Sequence, residues 1–282
     1  MIPPLVRPFT VTGSGREALA RILTYLQLRP ADEVWLSTTM GLRDLQVSPC
    51  VTATIARHCR FAFQPGPRTA AALVIHDFGV PHRDLAAIRA RCDYHGWPLI
   101  EDAAHAFAST DAAGRRMGTV ADFALFSLPK FFAVPNGGLV IGLPAQAAGP
   151  EDGTAAERFR AVLPATADIA ETRRRNWQSL HRLLGPHGLD SDLPLTRGSV
   201  PACYLLRTAH QFATLRRLRR AGIESGPEIH CDRVFLPCHQ HLDLDDIGRI
   251  VALVASGSAE ASPSSNPTMP GRPLRLTPQR VD

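Results

Sequence analysis

The sequence predicts an α/β protein: a mostly parallel sheet covered on both sides by helices, followed by a smaller α+β region. Three observations carry that expectation. Short apolar runs alternate with helical patterns through the first half of the chain. The helical stretches between the runs are long enough for crossover connections, which join parallel strands. Near residue 143 the texture changes, and longer helical patterns with only two strand-like runs take over.

The elements follow in order. Strands are expected at 33–37, 72–77, 98–102, 122–127 and 138–142, with helices at 15–28, 49–58 and 83–95. The helix over 83–95 places Leu85, Ile88 and Cys92 on one face. "LPAQAAGPEDGT" reads as a loop, and a long helical stretch then runs from 155 to 184, interrupted at Pro164. A strand at 202–206, a helix at 209–221, a strand at 233–236 and a helix at 243–254 make the small region. From Ser256 onward the chain is rich in Ser and Pro without apolar periodicity, so disorder is expected. The implied organisation is a large domain over 1–150, a connecting helix with a small α+β domain over 151–255, and a tail over 256–282. No internal repeat is found.

With 282 residues, 45% apolar and 20% charged, the chain has the composition of a soluble globular protein. The net charge of +5 is mild. Its densest patch, Arg216, Arg217, Arg219 and Arg220, reads as a solvated helix face, and no motif supports nucleic-acid binding. The N-terminal stretch lacks the layout of a secretion signal. The longest apolar stretch, 131–149, is broken by Pro135, Asn136, Gly137 and Gly138, so no membrane span is expected. Six cysteines without a CxxC pair read as free thiols of a cytoplasmic protein.

One residue stands apart. Of the 31 lysines and arginines, only Lys130 is a lysine, leaving 30 arginines. A coding bias against lysine would leave a stray anywhere. Chemistry offers a sharper reason, because guanidinium keeps its proton whereas a lysine amine loses it when desolvated and can then bond a carbonyl as a Schiff base. Lys130 follows the strand expected at 122–127 and precedes "VPNGGLVIG", which turns back into the sheet.

Two further segments converge on the same place. Ser14 and Glu17 form an S-x-x-E capping box, so a helix starts at Gly15, and its first-turn N–H groups from Gly15, Arg16 and Glu17 offer an anion site. In "WPLIEDAAHAFAS" a strand runs into Asp102 at its carboxyl end, the side of an open parallel sheet that faces the ligand crevice. Asp102 serves either a ligand or the cap of a helix beginning at Ala103. His105 is a second contact or a satisfied structural partner. A phosphate site, a strand-end carboxylate and a strand-end lysine together describe pyridoxal 5′-phosphate, with its phosphate, ring nitrogen and aldehyde. A rival cluster, His230, Cys231, Cys238, His239 and His241, lacks tetrahedral zinc spacing, and no metal is expected.

"SGREAL", "LVIHDFGVPHRDLAAIRARCDYHGWPLIEDAAHAF", "GRRMGTVADFALFSLPKFFAVPNGGLVI" and "RVFLPCHQHLDLDDIGRIVALV" resemble, in order, the DegT/DnrJ/StrS family of PLP-dependent sugar aminotransferases. The resemblance implies the type I PLP-transferase fold with a seven-stranded sheet. It also implies a homodimer, an amino donor such as glutamate or glutamine, and a keto-sugar or related carbonyl acceptor. By position, Lys130 resembles the lysine that bonds the cofactor aldehyde, Asp102 the carboxylate on the pyridine nitrogen and His105 the residue beside the ring hydroxyl. Ser127 and the turn at Gly15–Arg16 resemble the phosphate contacts. The chain departs from the pattern in four ways. Ser127 lies three residues before Lys130 where five is common, Arg16 replaces a frequent threonine, no aromatic stands near Met40, and the "GYNYRM"-like loop has no counterpart. The 30 arginines leave the binder of a substrate carboxylate open. A PLP lyase or cyclase, and a regulatory protein on a worn aminotransferase fold, are the competing expectations.

Overall fold

The computed structural model describes residues 7–41, 47–227 and 232–259. Its first half is a seven-stranded sheet. In chain order, β1 (Phe9–Thr12), α1 (Gly15–Leu26), β2 (Glu33–Thr38), α2 (Pro49–Ile55), β3 (Arg60–Ala62), β4 (Thr69–Ile75), α3 (Leu85–His95), β5 (Leu99–Asp102), β6 (Phe123–Ser127) and β7 (Gly138–Ile141) lead into α4 (Ala145–Ala148). The strands lie side by side as β1-β7-β6-β5-β4-β2-β3. Neighbours from β6 to β3 are parallel, and β7 alone runs against both its neighbours. The mostly parallel sheet is therefore as expected.

Strand β4, "TAAALVI", is buried along nearly its whole length, as a central strand covered on both faces must be. Successive residues feed opposite cores. Val74, Leu99, Ala124 and Phe126 enter the core on the α3 side, while Leu73, Ile100, Phe123 and Leu125 enter the one under α1, with Leu19 and Ile22. Adjacent side chains at a strand end therefore part company: Glu101 follows Leu99, whereas Asp102 and Ser127 lie on the α1 face.

Downstream, α5 (Gly153–Val162) and α6 (Thr166–Leu184) are separated at Pro164, as the sequence predicts. Helix α6 belongs to two cores. Ile169 and Ala170 join the large one, and Trp177, Leu180 and Leu184 join the small one. That small core lies between α6, α7 (Gln211–Arg220), α8 (Leu244–Ala259) and an antiparallel sheet ordered β8-β10-β9, made of Cys203–Arg207, Arg233–Pro237 and Gly226–Pro227.

Several expectations change. The fourth strand runs over Thr69–Ile75 rather than to Asp77, because Phe78 adopts a left-handed conformation (φ 52°) that ends the extension. Edge strands β1 and β3 escaped the sequence: they are three or four residues long and mix polar with apolar side chains. A single turn of helix, α4, occupies the expected loop. No helix starts at Ala103, where the chain makes turns instead. The last helix continues through Ser256 to Ala259, so the expected disorder does not begin at Ser256, and 260–282 lie outside the described residues. No described helix is long and apolar enough to cross a membrane.

The start of α1 is pressed into the turn that precedes β7. Gly137 N–H donates to Gly13 O, and Leu128 N–H donates to Gly137 O, both at 3.0 Å. A side chain on Gly138 would meet the backbone at Gly15 N (2.5 Å) and Ser14 O (2.6 Å). Backbone cannot yield as a flexible side chain does, so Gly138→Ala is expected to lose about 1–3 kcal/mol. A urea melt of that variant with a wild-type midpoint would refute the account of this contact.

Candidate active site

Six residues were expected to gather, and their elements converge at the carboxyl end of the parallel strands. Ser14 caps α1, accepting from Glu17 N–H at 3.2 Å. The reciprocal bond of the box falls one residue earlier, on Gly13 N–H, which donates to Glu17 Oε2 at 2.9 Å. The first turn, Gly15 and Arg16, thus points backbone donors that the helix itself cannot satisfy toward the end of β6. There Ser127 pairs with Gly138, and its Cβ lies 3.3 Å from where a side chain on Gly15 would begin. Gly15 and Ser127 are therefore neighbours. The Arg16 side chain is exposed.

Three residues after Ser127, a single 3₁₀ turn over Leu128–Lys130 carries the lone lysine past the strand end. Lys130 is open to solvent in the single chain, yet its charge acts on both Asp102 and His105. Asp102 is only 5% exposed. Its Oδ1 accepts from Ala104 N–H at 2.9 Å, a cap-like bond without the helix that the sequence led one to expect. Burial lifts its carboxyl above the ordinary range, and Lys130, the Ala104 bond and His76 oppose this without reversing it. The ionised carboxylate therefore lacks a close cationic partner among the described residues, and a protonated ring nitrogen is the kind of group that would stabilise it. For the chain alone, desolvation wins.

His105 is half-buried and stacks on Phe78, ring centroids 5.7 Å apart and planes 12° apart. Burial holds it well below the ordinary histidine value, and the charges of Lys130 and Arg173 push the same way, so its ring is neutral near pH 7. Phe78 was missed by the sequence reading. A bulky residue at φ 52° costs about 1–3 kcal/mol and persists only where its surroundings hold it. Here Ala202 N–H donates to Phe78 O at 2.8 Å, and Phe235 packs against the ring at 5.8 Å. The signal in the sequence was "HDFG", a strand end running straight into a turn.

On the opposite face, Glu101 is fully buried and accepts from the N–H groups of Gly118 (2.8 Å), Val120 (3.0 Å) and Ala121 (2.8 Å). His76 completes the set at 3.0 Å. Because His76 Nδ1 accepts from His82 N–H at 3.0 Å, the ring proton sits on Nε2 and is donated to Glu101. His82 Nδ1 in turn accepts from Asp84 N–H, so its Nε2–H points at Ser37 Oγ, 3.0 Å away. This network fixes the end of β5, and with it the position of Asp102.

Among the described residues, no three or more of His, Cys, Asp and Glu gather in a metal-binding arrangement. Cys238 lies buried against Pro201 O, while His230 and Cys231 fall outside the described residues. The residues present fit pyridoxal phosphate. They offer a capped helix terminus for an anion, a buried carboxylate without a close cation, and an amine within electrostatic reach of that carboxylate.

Comparison with known proteins meets this geometry in the same stretch of chain. Residues 66–144 match the model of the DegT/DnrJ/EryC1/StrS aminotransferase family. The "erythromycin biosynthesis sensory transduction protein EryC1" of Saccharopolyspora erythraea is 33% identical over 143 residues, 46% of this chain and 38% of its own length. The dTDP-3-amino-3,4,6-trideoxy-α-D-glucose transaminase of Streptomyces venezuelae is 32% identical over 126 residues, 41% of this chain and 33% of its own. The matched stretches thus span little more than a third of these relatives. The solved aminotransferase TlmJ of Streptoalloteichus hindustanus shares the fold, with a TM-score of 0.75 at 23% identity over 90% of this chain and 86% of that one. The family block of 66–144 contains Asp102, His105, Ser127, Lys130 and the Glu101–His76 network; the start of α1 lies before it.

The network carries a prediction. Burial opposes ionisation of Glu101, but the His76 bond, then the N–H donors of Gly118 and Ala121, hold its carboxyl below the ordinary value. A carboxyl lowered in the folded state contributes stability above its unfolded pKa, and that stability is lost as pH falls through the folded value. Wild type is therefore expected to weaken progressively below about pH 4. Glu101→Gln should cost about 1–3 kcal/mol at neutral pH and flatten that acid limb. Parallel limbs in chemical melts from pH 3 to 7 would show that Glu101 is not responsible.

Proposed function

We propose that this chain is a pyridoxal 5′-phosphate-dependent aminotransferase. It would move an amino group from an amino acid, glutamate or glutamine, to a keto-sugar or related carbonyl in secondary-metabolite or cell-surface sugar biosynthesis. The observation that carries the reading is the single lysine of the chain, placed past the end of β6 with its charge on the buried Asp102 at the end of β5. The transaminase name of the Streptomyces venezuelae relative supports the amino-sugar acceptor class.

When bound, pyridoxal phosphate supplies an aldehyde that takes up amines and a ring that accepts the electron pair left at the substrate carbon. The residues of the chain do the rest. Gly15, Arg16 and Ser127 would hold the phosphate, through backbone N–H groups at the start of α1 and a hydroxyl beside them. Asp102 would stabilise a proton on the ring nitrogen. His105, neutral and stacked on Phe78, would serve the ring hydroxyl. Lys130 Nζ would bond the aldehyde and, as a free amine, would carry the proton at the substrate carbon, as general base and then acid.

We further propose a division into a PLP-binding domain over 1–150 and a small domain over 151–255, a homodimer in solution, and a cytoplasmic setting. A second reading has one specific observation behind it. The EryC1 relative is named a sensory transduction protein, so a cofactor-binding regulator on this fold is the rival.

Borohydride treatment of the cofactor-loaded protein, followed by peptide mass analysis, is expected to place the label on Lys130. Lys130→Ala should lose the visible absorbance of the bound cofactor and slow amino transfer by about 10²–10⁴-fold. Label on no lysine would sink the cofactor assignment. Label on Lys130 without transfer of a ¹⁵N-marked amino group would leave the regulator, or another PLP reaction. Light scattering that shows a monomer still holding cofactor would refute the dimer.

A further inference from the structure

Thirty arginines give the sequence no way to single out one that binds a substrate anion, but burial does. Among the described residues only two arginines are buried, Arg173 (4% exposed) and Arg233 (2% exposed). Arg233 is paired with Asp192. Arg173 has no carboxylate partner among the described residues. Its Nε–H donates to Gln240 Oε1 at 3.1 Å, Nη2 donates to Phe131 O at 3.0 Å, and its guanidinium lies 5.0 Å over the Phe131 ring. Of five N–H donors, two are used and three remain. Among the described residues, Nη1 has no hydrogen-bond partner.

The position matters as much as the missing countercharge. Phe131 follows Lys130 directly, so Arg173 sits beneath the turn that carries the reactive amine. Its charge acts on His105, which stacks with Phe78. On α6 it occupies the buried stripe between Ala170, in the large core, and Trp177, in the small one. That stripe position ordinarily takes an apolar residue.

We propose that Arg173 is the anion-binding residue of this site and receives the carboxylate of the amino-acid donor. The proposal rests on the aminotransferase reading and deepens it. A buried cation paired only with neutral acceptors is costly, and a carboxylate brings two oxygens that match parallel guanidinium N–H donors. An amino acid carries that carboxylate next to the amine that must reach Lys130, whereas a keto-sugar ring carries none. Arg173 therefore selects carboxylate-bearing amines as donors. Arg173 also joins the Phe131 carbonyl to Gln240, and Asn176 on the same helix donates to His239 O at 2.9 Å. A residue that only latched these segments together would show no preference for ligand charge.

The test uses full-length protein loaded with pyridoxal phosphate and non-reacting probes. Calorimetric titration of wild type with glutarate and with its neutral diamide should show the diacid binding about tenfold tighter or more. Arg173→Gln should take up cofactor on Lys130 as wild type does but lose the diacid preference, and Arg173→Lys should restore part of it. Equal binding of diacid and diamide by wild type overturns the proposal, whether or not the glutamine variant folds. So does a wild-type preference in Arg173→Gln, or inorganic phosphate competing with glutarate for wild type more strongly than the diamide does. If Lys130 takes up no cofactor, the aminotransferase reading fails separately; the same titrations on the unloaded chain then decide whether Arg173 binds carboxylates at all.

Discussion

The candidate site depends on one contact, the approach of the α1 start to the glycine pair that opens β7. The backbone of Ser14–Gly15 lies where a side chain on Gly138 would be, and Gly137 bonds to both Gly13 and Leu128. One pair of glycines thereby joins three things far apart in sequence: the helix terminus near residue 15, Ser127 at the end of β6, and the turn that holds Lys130. Any larger residue at 138 would push the start of α1 away from the turn that holds Lys130. The two lie this close only because the backbones meet there without side chains.

The second constraint is charge. Strand alternation sends Glu101 and Asp102 to opposite faces, and their environments diverge accordingly. Glu101 meets three N–H donors and the Nε2–H of His76, so its charge is satisfied inside the protein. Asp102 meets one N–H and the distant field of Lys130, so burial dominates. Arg173, bonded to the Phe131 carbonyl, carries the opposite sign and likewise lacks a charged partner among the described residues. Ionisable groups buried apart in this way, without charged partners among the described residues, are a pattern that clusters at ligand sites. The strained Phe78 stacked on His105 belongs to the same arrangement, since strain of that kind survives only where packing holds it.

Much of this was legible in the chain. The lone Lys130, the capping box at Ser14–Glu17 and Asp102 at a strand end each rest on local chemistry, and each sits on the element expected for it. The central strands were equally clear, because burial on both faces leaves continuous apolar runs. The edge strands Phe9–Thr12 and Arg60–Ala62 were not, since a short half-exposed strand takes its identity from the neighbour it pairs with. The helix expected to begin at Ala103 is absent because Asp102 caps a turn as readily as a helix. Arg173 went unnoticed because one arginine resembles another until its surroundings are known, although an arginine on the apolar stripe of a helix was a usable sign.

The sequence by itself determined the parallel α/β plan and the elements on which Lys130, Asp102 and the Ser14 cap sit, because these follow from periodicity and capping. Tertiary structure decided which groups are left without partners. Whether Asp102 or Glu101 holds an uncompensated charge, and which of 30 arginines faces the site, depends on how segments more than a hundred residues apart pack together. Burial and pairing are properties of that packing, and no local stretch of chain contains them.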